Sequence, residues 1–404
     1  MGNLFKIAFR NIFRNFRRSV LTIIMILIAV QIIVQGNSFL SGMLTNIANE
    51  SVLITGHVQV TSKDHDLKEK MMSLAGNVSN YSNIKNSLSG VKDIETVLGQ
   101  LKFSTVIYKG EKNKQGYGYG IEQSAVKKLN LSDYIYKGRI IKKSNNEIMV
   151  GREIAKKLKL QIGENVTLWV RTLDNKNNIV SYKVVGFFDS GNTLLNKTFY
   201  IPLPVAQKLL NMTDRVTEIL LFGKSVNKTS EIIDHIKGLG PLKGLKFKRW
   251  NQIGMGPLLI GIVGIISTVV QLVIISLAAF GIANTIMMAV LERKGEIGLM
   301  KSMGMHESEI ITLFTIEGLL LGLIGVIGGM ITGGIVAFVL STHGINIGNG
   351  MKDFSVKLTG VVYGGFSPGI FIKGFSYGMI ATVVATIIPV INGVRLKPSE
   401  ALRK

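Results

Sequence analysis

Cysteine is absent from all 404 residues, which excludes disulfides, thiolate metal ligands and a lipidated cysteine anchor in one step. A domain exposed outside a cell is then held by its core alone. The phosphate-cradling G-x-x-x-x-G-K-[ST] pattern is also missing, so the chain does not bind ATP through a P-loop. Neither a G-x-S-x-G elbow nor an H-E-x-x-H zinc helix occurs. The five histidines, His57, His65, His235, His306 and His343, lack the spacing of metal ligands and read as surface or core residues. No catalytic residue, metal or cofactor is assigned on this basis. Formal net charge is +22, and residues 46–250 hold 32 Lys and Arg against 18 Asp and Glu. There is no nucleic-acid module and no aromatic–basic stripe beside that charge, so the partner expected is an anionic lipid or envelope surface and not a nucleic acid. A Lys- and Asn-rich composition from biased codons accounts for the same excess.

Uncharged length is what the sequence has in quantity. No Asp, Glu, Lys or Arg occurs in residues 19–49, 250–291 or 318–351, runs of 31, 42 and 34 residues. They exceed what a soluble core uses and read as transmembrane helices, with a fourth at 374–394 broken near Pro389. The first two runs, if helical, reach about 45–60 Å against a hydrocarbon core of about 30 Å, and are expected to project as a stalk. Before the first span, Leu4, Ile7, Ala8, Ile12 and Phe16 alternate with Lys6, Arg10, Arg14, Arg17 and Arg18, the pattern of a basic amphipathic helix on the inner leaflet. A cleaved signal peptide is the alternative, but the apolar run is too long and lacks an A-x-A site. The positive charge sets the N-terminus in the cytoplasm.

The same rule sets out the domains. Residues 1–18 form the cytoplasmic amphipathic helix, 19–45 the first span and stalk, and 46–250 an extracytoplasmic domain. The second stalk and span follow at 251–291, a cytoplasmic segment at 292–309, the third span at 310–340, an outer loop at 341–373, the fourth span at 374–394 and a cytoplasmic tail at 395–404.

Residues 284–304, NTIMMAVLERKGEIGLMKSMG, lie between the second and third spans. Charges return the chain to water here, and Arg293 and Glu296 stand at a pairing i,i+3 spacing. Ile297, Leu299, Met300 and Met303 give a short surface helix an apolar side, while Gly295, Gly298 and Gly304 allow close backbone approach. The pattern N-T-x-x-M-x-V-x-E-R-x-x-E-I-G-x-x-K-x-x-G resembles the coupling segment of the ABC-transporter permeases grouped with MacB, the LolC/LolE pair and FtsX. That resemblance implies an α-helical membrane protein of the type VII exporter kind, with four transmembrane helices and a large α+β extracytoplasmic domain inserted between helices 1 and 2. It also implies docking of a separate ATPase through Glu292, Arg293, Lys294, Glu296, Ile297, Gly298, Lys301 and Gly304.

Alternation at residues 57–60, 103–108, 165–170 and 182–187 predicts strands in the inserted domain, helical patterns occur at 151–159 and 205–210, and residues 110–120 and 174–178 read as hairpin tips. Residues 147–170 resemble the MacB-like core domain, and GHVQV with residues 199–212 resemble the LolE-like branch. In the third span Gly325, Gly329 and Gly333 recur every fourth residue, a stripe for close helix packing. Gln271, Asn284 and Glu317 are polar groups at membrane depth. Glu317 is expected to be structural, near the coupling segment.

The resemblance implies a permease subunit that is not itself an enzyme. Two copies of an ATPase partner and a second permease copy or sister permease would complete it. Hydrolysis would move the outer domains by mechanotransmission, releasing a lipoprotein or exporting an amphiphile, with an outer-membrane or periplasmic partner possible. The alternative is an FtsX-like regulator of an extracytoplasmic hydrolase. A sensory receptor lacks any kinase or cyclase region to support it.

Overall fold

The computed structural model describes residues 2–14, 16–65, 74–143, 145–191, 195–254, 256–346 and 361–394. The tail at 395–404 and part of the expected outer loop, 347–360, lie outside the described residues. The chain opens with α1 (Gly2–Arg14) and α2 (Phe16–Thr55). There follow β1 (Val58–Ser62), α3 (Tyr81–Leu88), β2 (Ile94–Lys109), β3 (Lys112–Ile121), α4 (Gln123–Lys128), β4 (Ile135–Gly138), β5 (Glu147–Gly151) and α5 (Arg152–Leu158). The same region continues with β6 (Asn165–Arg171), β7 (Asn177–Phe188), β8 (Thr198–Pro202), α6 (Leu203–Leu210), β9 (Glu218–Gly223), α7 (Thr229–Ile236) and β10 (Leu245–Arg249). The last part holds α8 (Gly256–Glu292), α9 (Lys294–Ser302), α10 (Glu307–His343), the short β11 (Ile345–Asn346) and β12 (Val361–Val362), and α11 (Pro368–Val394).

Four of these helices, α2, α8, α10 and α11, are long and apolar enough to cross a membrane. They lie mainly in a helical unit drawn from the described residues within 1–45, 260–346 and 361–394, while the end of α2 from residue 46 and the start of α8 up to residue 259 belong to the second unit. α2, at 40 residues, reaches about 60 Å, roughly twice a hydrocarbon core. α11 corrects the sequence reading twice. It starts at Pro368, where proline suits a helix's first turn, and it runs unbroken through Pro389. Pro389 removes one backbone donor close to the helix end, a loss a membrane helix tolerates.

The second unit, within 46–259, is an α+β domain on a ten-stranded sheet of order β10-β1-β9-β2-β3-β8-β5-β7-β4, with β6 bridging β2 and β7. The bridge is possible because β2 has 16 residues. Its first half pairs with β9 and its last part with β6, so β2, β3, β8, β5, β7 and β6 close a ring. Inside, Phe103, Phe199, Tyr182, Leu168 and Ile154 form the main core. The glycine-rich stretch at 110–120 is not a long hairpin tip: the turn is Gly110–Glu111, and Lys112 already pairs with Lys109. Gly118 sits in a strand, where a Cβ would lie 2.4 Å from Phe103 Cζ and 2.5 Å from Phe199 Cζ. Glycine is required there by two aromatic rings and not by a turn.

Glu147 anchors the ring near its rim. Arg139 donates to both its carboxylate oxygens at 2.6 and 2.9 Å, and Lys142 N and Asn145 Nδ2 add bonds at 3.0 and 3.2 Å. The Arg139 bonds, opposed by burial, pull the Glu147 pKa down to about 2. A depressed carboxylate stabilises the fold above the unfolded pKa and loses that effect as pH falls toward the folded one. Acidification from pH 5 to pH 2 should therefore cost the wild type about 2 kcal/mol more than Glu147→Gln, a value below the full shift because Arg139 is half exposed. Both tryptophans, Trp169 and Trp250, lie in this unit. Their fluorescence during denaturant titration of the full chain checks the difference, and equal acid sensitivity would refute it.

Candidate functional site

The segment between α8 and α10 is built by a break and a stop. α8 ends at Glu292, Arg293 takes a non-helical turn, and α9 begins at Lys294. At the far end Gly304 has φ 90°, Gly304 N donates to Lys301 O at 3.0 Å, and Met305 N donates to Met300 O at 3.0 Å. This is a Schellman stop, which needs a left-handed residue and so selects glycine. Gly304 thus ends the helix, and neither it nor Gly295 nor Gly298 has a neighbour within 4 Å of an added Cβ.

Arg293 does not pair with Glu296. It is 5% exposed, and its Nη1 donates to Glu317 Oε2 at 3.0 Å, with the guanidinium 5.9 Å from the Phe314 ring. Glu317, 8% exposed, also accepts from Asn11 Nδ2 at 3.4 Å. One buried carboxylate therefore joins α1, the α8–α9 turn and α10. Two charges out of water cost several kcal/mol each, so this pair is weak as a source of net stability. It is strong as a constraint on position, because losing one partner strands the other.

Around that centre the other charges are also held within the chain. Glu296 pairs with Arg14 at 2.5 Å and Glu292 pairs with Arg18. Both pairs are exposed enough that each is worth about 0–1 kcal/mol. Lys301 donates to Glu307 Oε1 at 2.7 Å and to Val394 O at 2.6 Å, a cation on the carbonyl end of α11. Lys294 is half-buried at the start of α9. The apolar residues of α9 fall on two faces. Ile297 is 5% exposed and packs with Val290, Ile310 and Phe314, whereas Leu299 and Met303 are 60% and 71% exposed. What the arrangement offers is a helix seated on its neighbours on one side with an open apolar face on the other.

Comparison with known proteins follows the same division. Residues 19–239 match the MacB-like periplasmic core domain family, more than half the chain, and residues 268–398 match the FtsX-like permease C-terminal family. The chain belongs to the MacB/FtsX-type ABC transporter permeases. This permease is 26% identical over 334 residues to an uncharacterised ABC transporter permease of Methanocaldococcus jannaschii, covering 78% of each chain. It is 21% identical over 395 residues to the lipoprotein-releasing system transmembrane protein LolE of Haemophilus influenzae, covering 92% of this chain and 91% of that one. The periplasmic region of MacB from Actinobacillus actinomycetemcomitans aligns with a TM-score of 0.36 at 14% identity, over 48% of the permease and 88% of that chain.

In the helical unit of the permease, the glycines of α10 meet α2. A Cβ at Gly325 would stand 2.7 Å from Ile26 Cβ, at Gly329 2.6 Å from Leu27 O, and at Gly333 2.9 Å from Val34 Cβ. Gln271 donates to Asn37 Oδ1 at 3.1 Å and to Ser267 Oγ at 2.8 Å, linking α8 to α2. Asn284 is exposed on α8 and is not brought to the other site residues. Sequence reading missed Arg14 and Arg18 as partners of the segment, Asn37 as the partner of Gln271, and the fit of Gly318 and Gly322 against Thr386 and Thr382. The first two lie inside the basic N-terminal pattern. The last had a signal, since both pairs have i,i+4 spacing on facing helices.

Proposed function

We propose that this permease is the membrane subunit of a type VII-like ABC exporter in a bacterial inner membrane, with both termini cytoplasmic. Two copies of a separate ATPase dock on α9, and a second permease copy or a sister permease completes the assembly. Hydrolysis moves the inserted domain, outside the membrane, by mechanotransmission, releasing lipoproteins or exporting an amphiphile. The observation that carries the reading is the two-sided seating of α9. Ile297, Arg293 and Lys301 fix it to α8, α10 and α11, so a push on its exposed face has a rigid path into the spans. The clustered positive charge of α1 supports the cytoplasmic side for this face, and the similarity to LolE supports the cargo class.

Leu299→Asp with Met303→Asp places charge on that open face without touching a core residue. The expected result is at least tenfold weaker co-purification with the cognate ATPase and loss of permease-stimulated hydrolysis in nanodiscs. Insertion and unfolding temperature should not change. Wild-type binding and stimulation in this variant would reject α9 as the docking element.

A further inference from the structure

Inside the inserted domain the last turns of α2 do not close fully on the sheet. Val52 joins a second core with Leu98, Phe188, Tyr200 and Phe222, yet beside it a cavity of about 270 Å³ remains. The space is a cleft open to one side, of the order of size that holds a small ligand. Leu53 and Ile54 of α2 form one wall, and Leu129, Leu131 and Phe188 continue the apolar lining.

The polar lining combines hydroxyls, of Ser190 and three tyrosines, with the acceptor oxygens of Gln100, Glu50 and Asp133. Gln100 is 6% exposed and its buried Oε1 has no hydrogen-bond partner among the described residues. An unmet buried acceptor costs about 1–3 kcal/mol, which a donor from a ligand would recover. The carboxylates of Glu50 and Asp133 also line the space, with the rings of Tyr119, Tyr134 and Tyr200. Burial first, then Glu50 and Asp133, raise the Tyr134 pKa, so the field at that ring is negative. Among the described residues no Lys or Arg lines the cavity, in a chain with 47 of them. Lys102 lies over the Tyr119 ring and pairs with Glu218 at 2.8 Å, and its charge acts on the Tyr200 hydroxyl as well.

We propose that this cavity, between the end of α2 and the Tyr119–Tyr200 face of the sheet, binds an amphiphile through its primary ammonium group. The ammonium donates to Gln100 and the two carboxylates and lies against the tyrosine faces, while a short apolar body fills the space along Leu53 and Ile54. The site stands on the inserted domain alone and does not depend on which partner drives the permease.

The test uses the full chain in nanodiscs and 4-(4-fluorophenyl)butylamine, followed by ¹⁹F line broadening against empty nanodiscs. Saturable binding is expected, displaced by unlabelled phenylbutylamine, with the matching butanoic acid and butanol at least tenfold weaker. Leu53→Trp, which fills the cavity, should abolish binding. Gln100→Leu and the isosteric, half-exposed Glu50→Gln should each weaken it roughly tenfold. Because Glu50→Gln removes charge without changing shape, it decides the matter even if the tryptophan variant does not fold. Equal binding of the acid and the amine, or unchanged binding in Glu50→Gln and Gln100→Leu, would overturn the assignment.

Discussion

Arg293→Ala and Glu317→Ala should each lower the stability of the helical unit by about 3–5 kcal/mol, the cost of leaving one member of a buried ion pair without the other. Arg293 Nη1 and Glu317 Oε2 are 3.0 Å apart and almost wholly enclosed, so water does not replace the missing partner. Asn11 gives Glu317 a weaker second donor, which tempers the loss in Arg293→Ala. Arg293→Met combined with Glu317→Leu should regain most of the loss, since no unpaired charge then remains inside. Thermal unfolding of the detergent-solubilised chain gives the ranking. If each single variant unfolds with the wild type, the pair is wet and the α8–α9 turn is held by something else. The double variant also separates stability from transmission. A chain that is stable but does not stimulate the ATPase proposed above would show that the charged tie fixes the angle of α9.

Gly329→Ile should have an effect of similar size by the opposite route. Its Cβ would lie 2.6 Å from Leu27 O and 2.7 Å from Val30 Cβ, and the first of these is backbone that cannot rotate away. Overpacking costs about 1–3 kcal/mol, and the upper end is expected where backbone is the obstacle. Gly328→Ala serves as the control, because its nearest neighbour is a Leu27 methyl at 3.0 Å, the flexible end of a side chain. The readout is the melting temperature in detergent beside membrane insertion of both variants. A Gly329→Ile chain as stable as the control would mean that α2 and α10 are not in contact in the membrane.

The helices were legible because charge-free runs of 31 to 42 residues have few other uses, and four of the sheet's ten strands, β1, β2, β6 and β7, because alternation survives wherever one face is buried. The glycines of β3 misled, since a glycine that makes room for Phe103 and Phe199 looks in sequence like one that makes a turn. Between α8 and α10 the family pattern located α9 and its charges. It did not reveal that Arg293 turns inward, because its partner Glu317 is 24 residues away on another helix. Local spacing offered Glu296 instead, and Glu296 is taken by Arg14 from the other end of the chain. Sequence distance hides such partners; the packing of α1 on α9 and of the α8–α9 turn on α10 brings them together.

The sheet of the inserted domain ends on β10 at one side and β4 at the other. Confined to a membrane plane, neighbouring copies would meet at high effective concentration, where an open strand is a template for polymerisation. Both margins are poor templates. β10 places Lys246, Lys248 and Arg249 in five residues, and β4 is four residues long, carries Lys137 and has a register shift against β7. Like charges along one margin and a short, irregular strand at the other deter edge-to-edge growth. Neighbouring copies can thus lie side by side with little tendency to join edge to edge.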